Sequence, residues 1–337
     1  MRIGVIGSGA IGCLVAAYLK LEGQDVSLVG RPDSVKAIRE NGLQISGVRG
    51  SFKVEIKVSE QLSYLPELVI LATKTQDIED ALKDNISLLR DALILTIQNG
   101  IQADNIVAKS LPKKNIVSSI VMFGATYLEP AKLVHNFEGS WIIGRPFEKE
   151  PPEVLSNLSE ILNKVFPVVV ADNIIGMKFL KIFVNANNCI LAILGKSMQD
   201  VFSDLDISRI SIAIWKEALE IMPKAGIGLV SLPGFPVENI TRLTSLPISQ
   251  AATIFSRTMK NLSKEPLYGS ILQSIMRGRR SEIDYINGEF VRLAEKNNLH
   301  ASLNSVLVDM VHEVEENNRF YSKLELFERI QKVVKLT

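Results

Sequence analysis

A segment in the second half of the chain places one lysine and two amides among apolar residues. In GMKFLKIFVNANNCILAI, Lys181 and Asn185 lie about 40° apart around a helix, and Asn188 returns to within roughly 20° of Lys181. The apolar neighbours leave little of this helix for solvent, so we expect the polar face to be partly buried. A lysine that is partly removed from water releases its proton more readily, which suits general acid catalysis. An ordinary solvent-exposed stripe of polar residues is the alternative.

A second polar cluster, GRRSEIDYINGEF, occupies residues 278–290. Gly278 is expected to end the helix of LYGSILQSIM, and Ser281 with Asp284 forms an S-x-x-D capping pattern for the next helix. Glu282 would then lie in the first turn of that helix, where the helix dipole favours a carboxylate. An anionic Glu282 can accept a hydrogen bond from a substrate hydroxyl or orient the lysine. A helix-start residue with no further role is the alternative.

A glycine-rich loop opens the chain, in the sequence RIGVIGSGAIGCLVAAYL. It has the G-x-G-x-x-G spacing between a predicted strand and a predicted helix, which is the context that dinucleotide binding requires. The first glycine allows a tight turn, the second lets the backbone approach a pyrophosphate, and the third allows close packing of helix and strand. The predicted cofactor loop consists of Gly7, Ser8, Gly9, Ala10, Ile11 and Gly12.

The second predicted strand ends in LVGR, where Gly30 is followed by Arg31. A site for NADH usually places a carboxylate here, which accepts from the ribose 2′-hydroxyl. An arginine suits the 2′-phosphate of NADPH instead, because a guanidinium can donate two parallel hydrogen bonds to a phosphate. NADPH is therefore the predicted cofactor, with a solvated surface arginine as the alternative.

Two further polar residues follow buried strands of the first half. Lys74 comes directly after LVILAT, and Asn99 with Gly100 follows ALILTIQ. Ligands of open α/β sheets bind outside the carboxyl ends of the strands, so both side chains are candidates for the nicotinamide side of the cofactor. Since Asn-Gly is also a common turn, a structural role is the alternative for Asn99.

These residues require a particular arrangement of strands and helices. Short β-branched runs alternate with amphipathic helical patterns through the first half, which predicts parallel βαβ units of the Rossmann type. Adjacent strands then predict an antiparallel extension of the sheet, up to FPVVVAD, and the remainder reads as helical. We therefore predict an α/β dinucleotide-binding domain over residues 1–172 and an all-α substrate domain over residues 173–337. The tail LELFERIQKVVKLT predicts a helix that docks on the body of the protein or on a second copy in a homodimer.

Composition excludes several classes of protein. Hydrophobic residues make up 47% of the chain and charged residues 22%, and the net charge is +1, so neither nucleic acid nor an acidic membrane is expected as a partner. No uncharged apolar run approaches the roughly 18 residues that a membrane span needs. Cys13 and Cys189 indicate a reducing compartment, hence the cytoplasm. The histidines have no metal-ligand spacing, and no metal is expected; they are His135, His300 and His312.

Taken together, the two ends of the chain resemble the ketopantoate reductase (2-dehydropantoate 2-reductase) family over almost the full length. The most specific match is GSILQSIMRGRRSEIDYING, residues 269–288. The remaining matches are the glycine loop, Arg31, the Thr73–Lys74 pair, QNG at residues 98–100 and KIFVN at residues 181–185.

The resemblance implies hydride transfer from NADPH to the C2 carbonyl of a branched 2-oxo acid, with ketopantoate as the first candidate. Lys181 would donate the proton to the nascent alkoxide, and Glu282 would hold a substrate hydroxyl and the lysine network. Glu282 and Asn99 would also contact the cofactor. The residues implied to position the substrate are Asn99, Asn185, Asn188 and Ser270.

Three departures from the family pattern concern the substrate. The family repeats asparagine at four-residue steps after the lysine, but that step lands here on Cys189, and Asn188 aligns better in this role. Leu267 stands where the family often carries an amide, and HASLN at residues 300–304 lacks a proline. A site that loses buried hydrogen bonds can change its preference by orders of magnitude. A reductase for another 2-oxo acid or an opine-type substrate is therefore the second hypothesis, and a non-catalytic dinucleotide sensor is the third.

Overall fold

The computed structural model describes residues 1–147, 152–263 and 265–334. The chain divides into two compact units, Met1–Ile175 and Gly176–Thr337. The first unit contains all the named strands of the described residues and the named elements of the second are helices, so the predicted fold class is confirmed. The assignment of cofactor binding to residues 1–172 and of substrate binding to residues 173–337 stays a prediction.

Twelve strands are found among the described residues of the first unit, and the glycine loop follows the first of them. The strands are β1 (Arg2–Ile6), β2 (Asp25–Val29), β3 (Leu43–Gly47), β4 (Phe52–Val54), β5 (Lys57–Ser59), β6 (Leu68–Leu71), β7 (Leu93–Thr96), β8 (Ile116–Val121), β9 (Gly124–Glu129), β10 (Lys132–Phe137), β11 (Trp141–Gly144) and β12 (Val168–Ala171).

The main sheet has eight strands in the order β12-β11-β8-β7-β6-β1-β2-β5. The strands from β5 to β8 in this order are parallel, and β11 pairs antiparallel with β8, which confirms the predicted extension. The chain leaves β1 toward β2 on one side and returns to β6 on the other. The carboxyl ends of β1 and β6 therefore form the switch point of the sheet, where ligands of such folds bind.

The main sheet carries helices on both faces, so alternate side chains of its central strands are buried in two different cores. Ile3 and Val5 belong to the core under α1, whereas Ile6 and Leu71 belong to the core under α3 and α5. The helices of this unit are α1 (Ala10–Leu21), α2 (Pro32–Asn41), α3 (Ile78–Lys83), α4 (Ile86–Leu89), α5 (Gln102–Val107) and α6 (Pro152–Leu162), with 3-10 turns η1 (Thr75–Asp77) and η2 (Lys113–Asn115).

A second sheet is a finding that the sequence did not predict. The hairpin of β9 and β10 leaves the main sheet and pairs with the hairpin of β3 and β4, in the order β4-β3-β10-β9. Strand β10 lies parallel to β3, with Leu133 opposite Ile45. Both of these residues are buried in the core that also contains α1. The short strands β3 to β5 have weak alternation, so the pairing of β3 with a strand about 90 positions away is not readable locally.

The second unit is helical, and its first two helices carry the predicted substrate face. Helix α8 packs against α13 and α15, and α10 packs against α12. The helices are α7 (Ile174–Ala186), α8 (Asn188–Leu194), α9 (Met198–Phe202), α10 (Leu205–Lys224), α11 (Glu238–Ser245), α12 (Ile248–Lys260), α13 (Ser270–Ile275), α14 (Asn287–Lys296), α15 (Ser302–Asn317) and α16 (Lys323–Ile330), with the 3-10 turn η3 (Ile283–Tyr285).

One helical stretch, residues 174–194, is long and apolar enough to cross a membrane by length and composition alone. However, 72% of its most apolar window is buried within the fold, as in the core helix of a globular protein. It also includes Lys178 and Lys181. The burial explains its apolar composition without a lipid phase.

The C-terminal tail docks on the helical unit itself. Leu326 and Ile330 of α16 are fully buried, and the Tyr321 amide donates to the Ile193 carbonyl at 2.8 Å. Arg329 forms an ion pair with Glu313 of α15 at 2.7 Å. Residues 335–337 of the predicted tail helix lie outside the described residues.

Candidate active site

The three glycines of the opening loop have different physical roles. Gly7 has φ +120°, and a Cβ atom there would lie 2.5 Å from the backbone carbon of Ala72. A Cβ on Gly12 would lie 1.9 Å from the Gly7 carbonyl oxygen, so α1 packs directly on the end of β1. A Cβ on Gly9 would meet nothing within 4 Å. The outer two glycines are therefore required by the fold, whereas Gly9 borders open space at the amino end of α1, where a phosphate can approach.

The remaining residues of the loop contact the end of β2 and the core under α1. A Cβ on Gly30, directly after β2, would lie 2.4 Å from the Ser8 hydroxyl oxygen. The side chain of Ser8 thus fills the space that a larger residue at position 30 would occupy. Ala10 and Ile11 begin α1, where Ile11 packs against the core under that helix. The fold therefore places the predicted loop at the switch point of the sheet.

Lys74 and Asn99 lie after the neighbouring strands β6 and β7, as predicted, and both are partly buried. A residue outside the predicted set joins their loops. The Gln98 side-chain amide donates to the carbonyl oxygens of Leu71 at 2.8 Å and Thr73 at 3.0 Å. Gln98 is therefore a positioning residue for this edge. Its place in QNG, next to Asn99, was the signal that could have identified it.

Asp104 anchors the helix that follows Asn99. It is buried in α5 and accepts a 2.6 Å hydrogen bond from the Ser118 hydroxyl and another from Thr96. These two hydroxyls belong to β8 and β7, so Asp104 ties α5 to the strand ends beneath the loop. Nothing in the sequence distinguishes it from an ordinary exposed aspartate near a helix start, which is why it was missed.

Arg31 lies at the end of β2, as predicted, and its side chain is exposed. It is the N-cap residue of α2. Its guanidinium Nη2 lies 3.3 Å from the Asp77 carboxylate, at the end of η1. The arginine therefore lies at the predicted strand end, beside a carboxyl group that the sequence did not indicate.

Lys181 is partly buried in α7, and burial lowers the pKa of its ammonium from 10.5 to about 8. Asn185 is also partly buried and lies one turn later in the same helix. The prediction of a partly desolvated lysine with a neighbouring amide is consistent with this geometry. A lysine with a pKa near 8 is mostly protonated at neutral pH and still releases its proton readily, as a general acid must.

The helix that carries Lys181 is interrupted, whereas the sequence suggested a continuous one. Helix α7 ends at Ala186 and α8 begins at Asn188. Just before the break, the Trp215 indole Nε1 of α10 donates to the Phe183 carbonyl at 2.7 Å. This bond comes from another helix and holds the last turn of α7 in place.

After the break, Asn188 lies next to the start of α13. A Cβ on Gly269 would come within 2.8 Å of the side-chain amide carbon and oxygen of Asn188, so a larger residue at position 269 would displace this side chain. Ser270 is the next residue and the first of α13, and it is exposed. The fold therefore brings Asn188 beside Ser270.

Cys189 points into the core and is fully buried. Burial raises the pKa of its thiol to about 12, against a smaller opposing effect of hydrogen bonds that include the Asn287 side chain. Asn287 in turn donates to Asn304 at 3.0 Å, and Asn304 donates to Glu217 at 2.7 Å. Of the two neighbours left open by the sequence, Asn188 and not Cys189 lies toward Gly269.

The predicted capping of the segment at residues 278–290 is wrong. The Ser281 hydroxyl accepts from the Ile283 amide at 3.2 Å, but the next element is the 3-10 turn η3, and the α-helix begins only at Asn287. Glu282 is the residue before this turn, and it is partly buried. It therefore lies outside the first turn of any α-helix, and the predicted stabilisation of its carboxyl group by a helix dipole does not apply, since a single 3-10 turn has little dipole.

The same segment is held instead by α15. The Ser281 amide donates to the Glu315 carboxylate at 2.7 Å, and His312 Nε2 lies 3.0 Å from the Asp284 carboxylate. Gly278 ends the preceding helical segment with φ +63°, as predicted. Glu282 is thus fixed by tertiary contacts of its neighbours on both sides.

Comparison with known families covers both units. The family model described as ketopantoate reductase PanE/ApbA matches residues 3–146, and its C-terminal counterpart matches residues 173–315. A 2-dehydropantoate 2-reductase from Pyrococcus horikoshii is 31% identical over 314 residues, covering 92% of this chain and 96% of that protein. One from Lactococcus lactis is 26% identical over 323 residues, covering 94% and 98%.

Solved structures with the same fold include two informative neighbours. D-mandelate dehydrogenase in its ternary structure with NADH and anilino(oxo)acetate has a TM-score of 0.80 at 23% identity, covering 94% of this chain and 99% of that one. A PanE/ApbA family ketopantoate reductase from Ralstonia eutropha has a TM-score of 0.79 at 23% identity, with the same coverage. At this identity the likeness concerns the fold alone.

Proposed function

Because the chain belongs to the ketopantoate reductase family, a family of oxidoreductases that reduce 2-oxo acids, we propose that it reduces 2-dehydropantoate to pantoate with NADPH. The observation that carries the proposal is Lys181, a partly buried lysine at the motif position, whose pKa is lowered to about 8. The product would serve pantothenate and coenzyme A biosynthesis. A cytoplasmic location and a homodimer remain predictions.

The first unit supplies a fitting cradle for the cofactor. The open space at Gly9 and the amides at the start of α1 suit a pyrophosphate, and Arg31 suits a 2′-phosphate. Lys74 and Asn99 would bind the nicotinamide half, held in place by Gln98. NADPH would supply the hydride to the substrate carbonyl.

Lys181 would donate the proton that balances the reaction. As the carbonyl oxygen of the 2-oxo acid gains negative charge, the ammonium stabilises it and then transfers its proton. The lowered pKa favours this transfer over retention of the proton. Glu282 would accept a hydrogen bond from a substrate hydroxyl, as would the amide oxygens of Asn185 and Asn188. Ser270 would bind the substrate from the start of α13.

A reductase for a different 2-oxo acid, or for an opine-type substrate, is the second candidate. It is favoured by Leu267 and by Cys189, since each stands where the family often places an amide. Cys189 is fully buried and thus contributes no hydrogen bond to a substrate. A pocket with fewer amides would bind a less hydroxylated acid.

The test is NADPH consumption with ketopantoate and with a panel of 2-oxo acids, using the wild type and Lys181→Ala. We expect turnover selective for ketopantoate, and a loss of about 10²- to 10⁴-fold in kcat for the variant. NADPH affinity, measured separately, should stay within about twofold of wild type. Selective turnover of another acid would establish the second candidate. Tight NADPH binding without turnover of any acid would contradict both and leave a non-catalytic sensor.

A further inference from the structure

The ion pair of Arg31 and Asp77 joins two strand ends across the glycine loop. Strands β2 and β6 pair with β1 on opposite sides, and the loop follows β1. Arg31 comes just after β2, and Asp77 ends the turn η1 that comes after β6. Their side chains nevertheless meet, with Nη2 of Arg31 lying 3.3 Å from Oδ2 of Asp77. The side chains are 59% and 43% exposed, so both remain accessible to a ligand.

We propose that Asp77 is a specificity-determining residue that opposes the 2′-phosphate of NADPH at Arg31. The proposal rests on the use of NADPH proposed above. Arg31 alone would favour NADPH strongly over NADH. The Asp77 carboxylate reduces this preference, because it already accepts a hydrogen bond from Nη2 of the guanidinium and repels the incoming phosphate.

The charges support this direction. A phosphate monoester carries about −1.5 to −2 charges at neutral pH, and the 2′-hydroxyl of NADH carries none. An anion that shares Arg31 with the carboxylate lies well within the screening length of about 10 Å at 0.1 M salt. Asp77 therefore raises the free energy of the NADPH complex and leaves that of the NADH complex nearly unchanged. The same interaction weakens as salt increases.

The neighbouring charges identify a matched control. Asp33 lies in the first turn of α2, and Lys74 lies three residues before Asp77. Glu79 is already paired with Lys109 at 2.8 Å. Asp80 is exposed in the first turn of α3, one turn beyond Asp77, and bears the same charge. Asp80→Asn therefore changes the net charge equally without touching Arg31.

The experiment measures dissociation constants by calorimetry for NADPH, NADH, 2′,5′-ADP and ADP. The proteins are the full-length wild type, Asp77→Asn, Asp77→Ala, Asp80→Asn, Arg31→Ala and the double variant Arg31→Ala with Asp77→Asn. Both Asp77 variants should bind NADPH and 2′,5′-ADP about three- to tenfold more tightly at low salt, and NADH and ADP within about twofold of wild type. Asp80→Asn should change each constant by less than about twofold. In the Arg31→Ala background most of the gain should disappear.

Two results would overturn the proposal on its own. One is an equal gain in Asp77→Asn and Asp80→Asn, which would mean a general charge effect. The other is a gain in Asp77→Asn without one in Asp77→Ala, which would mean that the new amide binds the phosphate. If the wild type binds 2′,5′-ADP no better than ADP and Arg31→Ala changes neither, then the proposed use of NADPH fails as well. Arg31-dependent NADPH binding that does not respond to Asp77 leaves the proposed function intact and refutes only the role of Asp77.

Discussion

The glycine loop of the first unit and the proposed substrate face of the second unit, the polar residues of α7 and α8, are held in place by different means. In the loop, backbone atoms approach so closely that a single added carbon at Gly7 or Gly12 would overlap other atoms. On the substrate face, helices end and restart, and side chains from other helices hold the ends, as Trp215 holds Phe183. The glycine loop therefore excludes any side chain at positions 7 and 12, whereas the helical region depends on particular polar side chains.

The difference predicts different failures. Substitutions in the glycine loop should reduce either the stability of the fold or the affinity for the cofactor, depending on which glycine is replaced. Substitutions of the polar residues on the proposed substrate face should reduce substrate affinity or proton transfer, since the apolar packing of α8 is separate from its polar contacts. A fully buried residue such as Cys189 belongs to that packing, and its partly buried neighbour Asn188 does not.

The largest effect is expected for Gly12→Ala, with Gly9→Ala as its control. The new methyl group at position 12 would lie 1.9 Å from the Gly7 carbonyl oxygen, so α1 must move away from β1. We expect the free energy of unfolding to fall by more than about 4 kcal/mol, measured by denaturant titration. In Gly9→Ala the free energy of unfolding should change by less than about 1 kcal/mol. The affinity of this variant for NADPH should fall by about tenfold or more. Similar destabilisation in both variants would contradict the separation of these two roles.

Lys181→Met tests the electrostatic side of the comparison. Because burial lowers the pKa of Lys181 to about 8, the ammonium is held at a cost in the folded state. Its replacement should abolish proton donation, with a loss of about 10²- to 10⁴-fold in kcat. At pH 7 the variant should be more stable than wild type by roughly 1–3 kcal/mol.

The pH dependence gives an independent check on Lys181. Between pH 8 and 10.5 the unfolded chain binds more protons than the folded one, so the free energy of unfolding of the wild type rises with pH in that window. The advantage of Lys181→Met should therefore shrink there. Over the same range the kcat/KM of the wild type for reduction should fall as the general acid loses its proton. A flat stability difference from pH 7 to 10 would contradict the lowered pKa.

Asn188 and Cys189 are adjacent in sequence and should respond in opposite ways. Cys189→Asn restores the amide at the family's usual step, but the position is fully buried, so we expect a loss of about 1–3 kcal/mol in stability. Asn188→Ala should leave stability within about 1 kcal/mol and raise the KM for the 2-oxo acid about tenfold. Denaturant titrations and steady-state kinetics on both variants measure this. If the KM rises in Cys189→Asn and not in Asn188→Ala, then position 189 rather than Asn188 contacts the substrate.

Local pattern was sufficient for the elements that position the cofactor. The strands β1, β2, β6 and β7 are short, mainly apolar runs followed by glycine or polar residues, and such runs are typical of buried parallel strands. The places of Arg31, Lys74 and Asn99 are determined by those strand ends. The side-chain partners could not be read in the same way, because Asp77 meets Arg31, and Gln98 meets Thr73, only through pairings of distant strands.

The second unit was harder to predict from its sequence. Its helical content was clear, but the break at Asn187 and the 3-10 turn after Glu282 lie beside contacts with Trp215 and with α15 that no local pattern reveals. A capping pattern such as that of Ser281 and Asp284 describes a local preference, and a tertiary contact can override it. The family resemblance placed Glu282 and Asn188 in the site without supplying the geometry that holds them.

The smallest effect is expected for Trp215→Phe, which removes one hydrogen bond to the end of α7 and keeps the apolar packing. We expect a loss of about 1–2 kcal/mol in stability, since the Phe183 carbonyl loses a buried partner. We also expect the KM for the 2-oxo acid to rise about three- to tenfold, because the break that directs Asn188 toward Gly269 is less firmly held. Steady-state kinetics and denaturant titration measure the two effects.

Trp141→Phe in the first unit is the matched control. The Trp141 indole donates to the Ser119 hydroxyl at 3.0 Å, so this variant also loses one buried indole hydrogen bond. A similar loss of stability with an unchanged KM would show that the effect of Trp215 on substrate binding is specific to the helix break. If the KM of Trp215→Phe stays at the wild-type value, as that of Trp141→Phe should, then α8 keeps its direction without the indole. The contact with Gly269 would then be sufficient to position Asn188.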